Sequence, residues 1–585
     1  LCFHTLIMRY PFQIIFLLFV ILGVFYPSLF AESLSIDDRQ MIQALLNSKG
    51  LDLGTLFFPT NSRYYYRPLI GLSFYADAAL LGSHPMLVHF ENVLIHALNT
   101  LLLFCILRHW SARLGRTDET GQAPLLLAAF FGLHPLATEP VNWISGRTDL
   151  LACLFVLASF LCLLRNAGKR VWPDIAAALL FLCGLWAKEA AIGLVPVVLF
   201  LSLQDEGFEI SRRWRAIAGR CLPFLAALLA YAFMRTGGRI AQDTGVMTAI
   251  HGGHGAEHFS LASKALSLIK AIGFYSQKIL WPFPLNFAIV EINRPVALAV
   301  GIATIFGLAA GLLFFRRRPF MAGLAWLFSF LAPALPVAVN RMAWTPLAER
   351  YLYIPLAGLC LLLLSLLAGR QKRIATLALL ALLLGFGAAT AQRNIVWQQN
   401  LTLWQDVVEK SPTFAPGHND YGLALLRAGR KAEAEKHLAL AASLVGDASS
   451  RGSSKVRANL TLVKDDLETQ VATLEAILQE EKNTKQRRQT ASQLISLLNR
   501  ALTEKKGEVP QRREWLAKMA GLHQDLFALD KNPYHLYRMG QLQLALGEKA
   551  VARQAFADTC RSSDDYYTKP ACTLAEKLGK ELRGE

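Results

Sequence analysis

Charge is scarce in this chain. Asp, Glu, Lys and Arg make up only 18% of its 585 residues against 54% hydrophobic ones, too little polar surface to cover a soluble globule of that length. An ordinary soluble enzyme is excluded, and a polytopic membrane protein with a soluble tail is expected. Acidic residues are scarcer than basic ones, 43 against 60, for a formal charge of +17. Much of the basic excess sits in short loops between apolar runs, where membrane topology accounts for it, so nucleic acid is not an expected partner. Paired cysteines are also missing. None of the nine cysteines stands in a CxxC spacing, which removes the usual zinc and dithiol motifs, and most lie in apolar runs as small fillers. Cys560 and Cys572, alone in the C-terminal tail, are a candidate disulfide if that tail lies in an oxidising compartment.

A helix needs roughly 20 mostly apolar residues to cross a bilayer. Such stretches occur near 11–31, 86–107, 221–235, 296–315, 320–339, 351–369 and 374–391. Two longer blocks remain: 124–164, broken by HPLATEPVNWISGRTD, and 171–204, broken by Lys188 and Glu189. Each is expected to be two helices joined by a tight outer turn. Their flanks carry Arg108, Arg113 and Arg116, then Arg165, Lys169 and Arg170, then Arg212, Arg213, Arg215 and Arg220. If all three clusters are cytoplasmic, each block crosses an even number of times. The expectation is an all-α bundle of about eleven spans, with the N-terminus inside and the tail outside. Met8 is a candidate start, and the first apolar run is expected to stay as an anchor because PSLFAES is a poor cleavage site.

The expected outer segments hold the ionisable residues. The first loop, 32–84, contains SIDDRQMI, whose Asp37 and Asp38 suit a general base, with Arg63 and Arg67 as anion partners; an N-cap leading into QMIQALL is the plainer reading of that pair. The second turn brings His134, Glu139, Arg147 and Asp149 together at membrane depth, where such groups tend to be functional. A salt bridge from Arg147 to Glu139 or to Asp149 would account for one pair. Lys188 with Glu189, and Glu349, Arg350 and Tyr351, complete the set. The long segment 236–294 carries His251, His254 and His258, which offer three metal ligands without a clear fourth, so a glycine-rich loop is the simpler reading. The following stretch, with Lys264, Lys270 and Lys278, is patterned to lie in the interface plane.

After Trp397 helical spacing takes over. NDYGLALLRAGRKAEAEKHLALA sets Gly422, Gly429, Ala434 and Leu438 in the register of a tetratricopeptide helix pair, and YRMGQLQLALGEKAVARQAF repeats it with Gly540, Gly547, Ala552 and Phe556. Residues 448–530 are helix-prone without clear phase and are expected to hold degenerate repeats. The domains read as 1–394, membrane, and 395–585, an α-solenoid.

These segments, namely SIDDR, YYRPLIGLSFYAD, HFENVLIHALN, HPLATEPVNWISGRTDLLACLF, KEAAIGLVPVVLF and LAERYLYIPLAG followed by repeats, resemble the transmembrane-and-tetratricopeptide O-mannosyltransferase-like proteins of the GT-C class of glycosyltransferases. The resemblance implies a polyprenyl- or dolichyl-phosphate-linked sugar as donor and a hydroxyl acceptor, foremost a protein Ser or Thr, with the repeats receiving the acceptor protein or peptide. It places Asp37, Asp38 and Glu139 in the catalytic group. It places Arg67, His134, Arg147, Asp149, Lys188, Glu189, Glu349, Arg350 and Tyr351 around the donor, with Arg147, Lys188 and Arg350 as cations for the lipid phosphate. No cofactor follows beyond a candidate divalent ion, Mg or Mn. The lead into the acidic pair is only SLSI, and the repeat array is short. A bacterial inner-membrane relative with a periplasmic tail fits these departures. A glycan or lipid acceptor, as in cell-envelope polysaccharide or lipid A modification, and a non-catalytic membrane scaffold are the alternative readings.

Overall fold

The computed structural model describes residues 10–34, 52–59, 66–82, 84–113, 122–166, 171–204, 210–237, 260–290, 292–314, 318–340, 343, 345–366, 372–445, 453–464, 466–481, 484–504, 509–562 and 567–583. Among them all regular structure is helical apart from one isolated antiparallel bridge, Ile289 to Leu347. The chain divides into two compact units, Leu1–Ser411 and Pro412–Glu585.

The first unit runs through α1 (Pro11–Phe25), α2 (Pro68–Leu81), α3 (Pro85–Arg113), α4 (Gln122–Leu133), α5 (Arg147–Asn166), α6 (Val171–Ala187), α7 (Leu194–Gln204) and α8 (Ile210–Arg235). It continues with α9 (Leu261–Leu280), α10 (Arg294–Phe314), α11 (Arg318–Leu331), α12 (Ala334–Val339), α13 (Tyr353–Leu366), α14 (Lys372–Val396) and α15 (Asn400–Lys410). Proline opens α1 and α2, where its missing N–H has no intrahelical partner to lose. Both long apolar blocks break where the polar residues fall. Between α4 and α5 lie three short helical turns, Pro135–Ala137, Thr138–Asn142 and Ile144–Gly146, and between α6 and α7 the turn Glu189–Gly193.

Six of the described helices are long and apolar enough to cross a membrane, or seven if the bent pair Gln122–Leu133 and Pro135–Asn142 makes one span. This falls short of the eleven or so counted from sequence. Four helices make the difference: α6, α7, α11 and α13 have 17, 11, 14 and 14 described residues, short of a full crossing. The bundle centres on α3, which packs against α1, α4, α5 and α13. Polar groups staple that contact. The His96 Nε2–H donates to the Gly132 carbonyl at 3.0 Å, which leaves Nδ1 to accept from the Tyr353 hydroxyl at 2.8 Å. Asn99 donates to the Leu150 carbonyl at 2.9 Å and to the Tyr353 hydroxyl at 3.1 Å. In an apolar bundle such bonds add direction that dispersion alone lacks.

The second unit consists of α16 (Ala415–Arg427), α17 (Lys431–Val445), α18 (Ser453–Leu460), α19 (Leu467–Glu480), α20 (Thr484–Glu504), α21 (Val509–Asp530), α22 (Pro533–Ala545), α23 (Lys549–Arg561) and α24 (Thr568–Arg583). The two sequence repeats are the pairs α16/α17 and α22/α23. In each the inner glycine admits the partner helix: a Cβ on Gly422 would stand 2.6 Å from Leu438, and one on Gly540 2.8 Å from Phe556. Between them α18 to α21 continue the helix-on-helix stack, tied by Asn459 donating to Asn419 at 2.8 Å and Gln493 donating to Asn459 at 2.7 Å. Cys560 of α23 is bonded to Cys572 of α24.

His523 and His535 face each other across α21 and α22, Nδ1 to Nδ1 at 3.0 Å, so one ring must supply the proton and the other accept it. Burial, then the neighbouring His535 and Arg538, hold the His523 imidazole down to about 4. The stability this neutral ring contributes is complete above its unfolded value of 6.5 and is lost as pH falls through 4. Hydrogen-exchange protection of the α21 and α22 amides, corrected for intrinsic rates, is expected to drop over that window. The drop should flatten in His523→Gln; an identical pH profile in that variant would assign it to another group.

Candidate functional site

The segment HFENVLIHALN lies in α3, where i, i+4, i+7 spacing puts Asn92, His96 and Asn99 on one inward face. Next to Asn92 lies the side chain of Arg147, only 1% exposed, and every nitrogen of its guanidinium is engaged. Nε donates to Asn92 Oδ1 at 2.9 Å, Nη1 meets Asp77 Oδ2 at 2.6 Å, and Nη2 meets Glu91 at 3.1 Å and the Val88 carbonyl at 3.1 Å. The Phe74 ring covers it at 4.6 Å. Neither of the local salt bridges considered from sequence forms: Arg147 pairs with α2 and α3, Asp149 pairs with Lys188 at 2.6 Å, and Glu139 pairs with Arg350 at 2.5 Å.

A cleft of about 400 Å³ opens beside these pairs. Its polar end carries Arg67, Asp149, Lys188, Glu189, Arg235 and Tyr351, and its other walls are apolar, with Leu185, Leu228, Phe330, Ala334 and Val337. Glu189 bridges two guanidiniums there, Arg67 Nη2 at 3.1 Å and Arg235 Nη1 at 3.4 Å. Arg235 also donates to the Tyr231 hydroxyl at 3.0 Å. Three cations and two carboxylates line this end, so it keeps a positive excess in a partly desolvated setting, where Coulomb interactions are stronger than in water.

The turn Glu349–Leu352 is a 3-10 helix, whose successive side chains project roughly 120° apart. Three neighbours therefore reach three surroundings. Glu349 binds Lys278 of α9 at 2.7 Å and accepts from the Asn286 backbone N–H at 3.0 Å. Arg350 binds Glu139 through its side chain and, at 3.0 Å, through its backbone N–H. Tyr351 lines the cleft, with Lys188 Nζ 5.3 Å above its ring and Arg350 Cζ 5.0 Å from it.

The structure thus gathers Arg67, Asp149, Lys188, Glu189 and Tyr351 around one cleft and sets the others apart. Glu139, 3% exposed, spends both carboxylate oxygens on Arg350. His134 caps the Pro135 turn, its Nδ1 accepting from the Leu136 N–H at 3.3 Å, between the rings of Phe130 and Phe386. Arg147, expected beside a lipid phosphate, is instead buried away from the lining of this cleft, with its three nitrogens on Asn92, Asp77, Glu91 and the Val88 carbonyl. Asp37, Asp38, Arg63 and the three histidines 251, 254 and 258 lie outside the described residues. Among the described residues no group of three His, Cys, Asp or Glu could hold a metal ion. Sequence reasoning missed Arg235 and Tyr231, whose signal was an arginine closing an apolar run, and Asp77, whose signal was a lone carboxylate in GLSFYAD.

Replacing Arg147 by Met is expected to destabilise the membrane unit by about 3–5 kcal/mol, because the buried carboxylate of Asp77 is left without its cation. The melting temperature in detergent reads this out, against a much smaller change for Arg67→Gln at the half-open cleft. Equal melting of Arg147→Met and the unaltered chain would show that the network does not hold the bundle.

Comparison with known proteins gives one consistent family name. The chain is 26% identical to the protein O-mannosyl-transferase Tmtc1 of Drosophila melanogaster over 478 residues, covering 65% of this chain and 54% of the relative. It is 27% identical to the human protein O-mannosyl-transferase TMTC1 over 438 residues, 65% of this chain and 48% of the relative. A shorter match of 117 residues, 20% of this chain and 13% of the relative, reaches 40% identity with the mouse protein O-mannosyl-transferase TMTC2. The chain therefore spans about half the length of these first two curated relatives. No family model matches, and no solved structure matches. The chain is similar to proteins named as TMTC-type protein O-mannosyl-transferases.

Proposed function

We propose that this chain is a membrane glycosyltransferase that moves a mannose-type sugar from a polyprenyl-phosphate carrier to a Ser or Thr hydroxyl of a protein, on the outer face of the membrane. The observation that carries the reading is the cleft itself. It joins an apolar wall, suited to a polyprenyl chain, to an end where Arg67, Lys188 and Arg235 converge. A phosphate seated among these cations is a better leaving group, because the charge that grows on it as the sugar C1–O bond breaks meets fixed positive groups. Glu189 already occupies the space between Arg67 and Arg235 and marks where such an anion would sit.

In this reading the acceptor oxygen attacks C1 as its proton passes to Asp37 or Asp38, the roles that the family resemblance gives them. Glu139 acts through Arg350, whose guanidinium it fixes beside Tyr351 at the cleft. The repeat unit receives the polypeptide acceptor, as helix-pair arrays do through their concave faces. The bond between Cys560 and Cys572 supports an oxidising surrounding for the tail, in a bacterium the periplasm, with the N-terminus cytoplasmic.

The test is transfer of radiolabelled mannose from polyprenyl-phosphate mannose in membranes carrying the chain. Label is expected in protein, and loss is expected in the Asp37→Asn, Asp38→Asn double variant. Arg235→Gln is expected to lower kcat/KM about a hundredfold, the usual cost of one donor to a developing negative charge, while the protein stays folded. Label confined to lipid or glycan would overturn the protein acceptor. Full activity of Arg235→Gln would remove the cleft from the reaction.

A further inference from the structure

A second cavity of about 670 Å³ lies in the membrane unit, lined by the first half of α9, the segment leading into α10, and the end of α12. Its polar residues are cationic or neutral. Lys264 and Lys270 project from one face of α9 with Ser263 and Ser267 between them, and Arg294 stands opposite at the start of α10. Among the described residues no carboxylate lines this groove and the three cations form no ion pair or side-chain hydrogen bond; Glu291, between the lining residues Val290 and Ile292, lies outside the described residues. This contrasts with the interior of the same unit, where Arg147, Lys188, Lys278 and Arg350 are each matched by an acid.

Apolar surface adjoins it on both sides. Beyond Arg294, α10 leaves Val296, Ile302, Ile305 and Phe306 exposed, and α9 leaves Leu261, Leu266 and Leu268 exposed. α10 is one of the helices apolar enough to cross the bilayer, so its start lies at headgroup depth. A ligand that fits both parts carries a negatively charged head and hydrocarbon chains. The groove is also preformed: α9 and α10 cross at Gly273 and Gly301, where a Cβ on either would collide with backbone of the other helix, so the walls are held at fixed separation.

We propose that this groove is a binding site for the phosphate head of a membrane lipid, held by Lys264, Lys270 and Arg294 with the hydroxyls of Ser263 and Ser267, its chains lying along α10. Convergent cations with hydroxyl donors are the groups that recognise phosphate oxygens. The site is separate from the cleft and does not rest on the transfer reaction. The short helix α12 divides the two, giving Ala334 and Val337 to the cleft and Ala338 and Val339 to the groove. An anionic phospholipid of the bilayer and a polyprenyl phosphate share this chemistry, and the experiment separates them.

The full chain, purified in detergent, is titrated with short-chain phosphatidylglycerol, short-chain phosphatidylcholine, polyprenyl phosphate and inorganic phosphate, and retention is read by native mass spectrometry. The polyprenyl-phosphate arm is read as the difference between the unaltered chain and the triple variant below, so that binding at the cleft, common to both, cancels. A lipid phosphate is expected to bind in preference to phosphatidylcholine. Affinity is expected to fall at least tenfold in the Lys264→Gln, Lys270→Gln, Arg294→Gln triple variant, and Lys264→Glu alone, at an exposed position, should weaken it as well. Tighter binding of phosphatidylglycerol identifies a bulk lipid and tighter binding of polyprenyl phosphate a carrier lipid; either supports the site. Equal binding by the triple variant, or inorganic phosphate bound as tightly as any lipid, would overturn it.

Discussion

A guanidinium withdrawn from water into a helix bundle costs several kcal/mol unless it is paired and hydrogen-bonded, and Arg147 has a partner for each of its three nitrogens, four in all, drawn from α2 and α3. The other buried ions follow the same rule. Asp149 with Lys188, Glu139 with Arg350 and Glu349 with Lys278 each join elements far apart in the chain. Because each buried charge needs its partner, these pairs set how the short turns sit against the long helices. Apolar packing between lipid-like side chains would leave that arrangement loosely determined. The cleft is the space left where the last of these pairings, Arg67 with Glu189 and Arg235, stays half open to solvent.

That pairing explains what the sequence could and could not tell. Apolar length located the helices and the polar interruptions located the breaks, because both depend on residues adjacent in the chain. The partners of the ions did not follow. Glu139 and Arg147 lie eight positions apart, close enough to invite a salt bridge, yet the acid that takes Arg147 lies 70 residues away and the base that takes Glu139 lies 211 away. Charge counting could say that four ionisable groups in one turn needed partners and could not say from which helix. Arg235 escaped for a related reason: an arginine closing an apolar run looks like one that reaches for lipid headgroups, and only the fold turns it toward Glu189.

The repeat unit was legible through its small residues. Gly422 and Gly540 admit Leu438 and Phe556 at the same register, a contact within one helical hairpin and therefore visible in local spacing. The middle was harder, because α20 and α21 run to 21 and 22 residues and carry no such glycine signature. Their stacking rests on broader apolar faces, around Leu494, Leu498, Trp515 and Met519, and on the carboxamide contacts from Asn419 through Asn459 to Gln493.

The turn that begins at Glu349 constrains the gene as well as the protein. Three consecutive codons specify an anchor to α9, a clamp on Glu139 and a wall of the cleft, and they do so through the angular step of a 3-10 turn. A substitution at any of the three alters one surrounding. Insertion or loss of a single residue just before them rotates all three at once, so that a lysine, a carboxylate and a cavity each meet the wrong neighbour. The length of this segment is therefore a tighter constraint than the identity of any one of its residues.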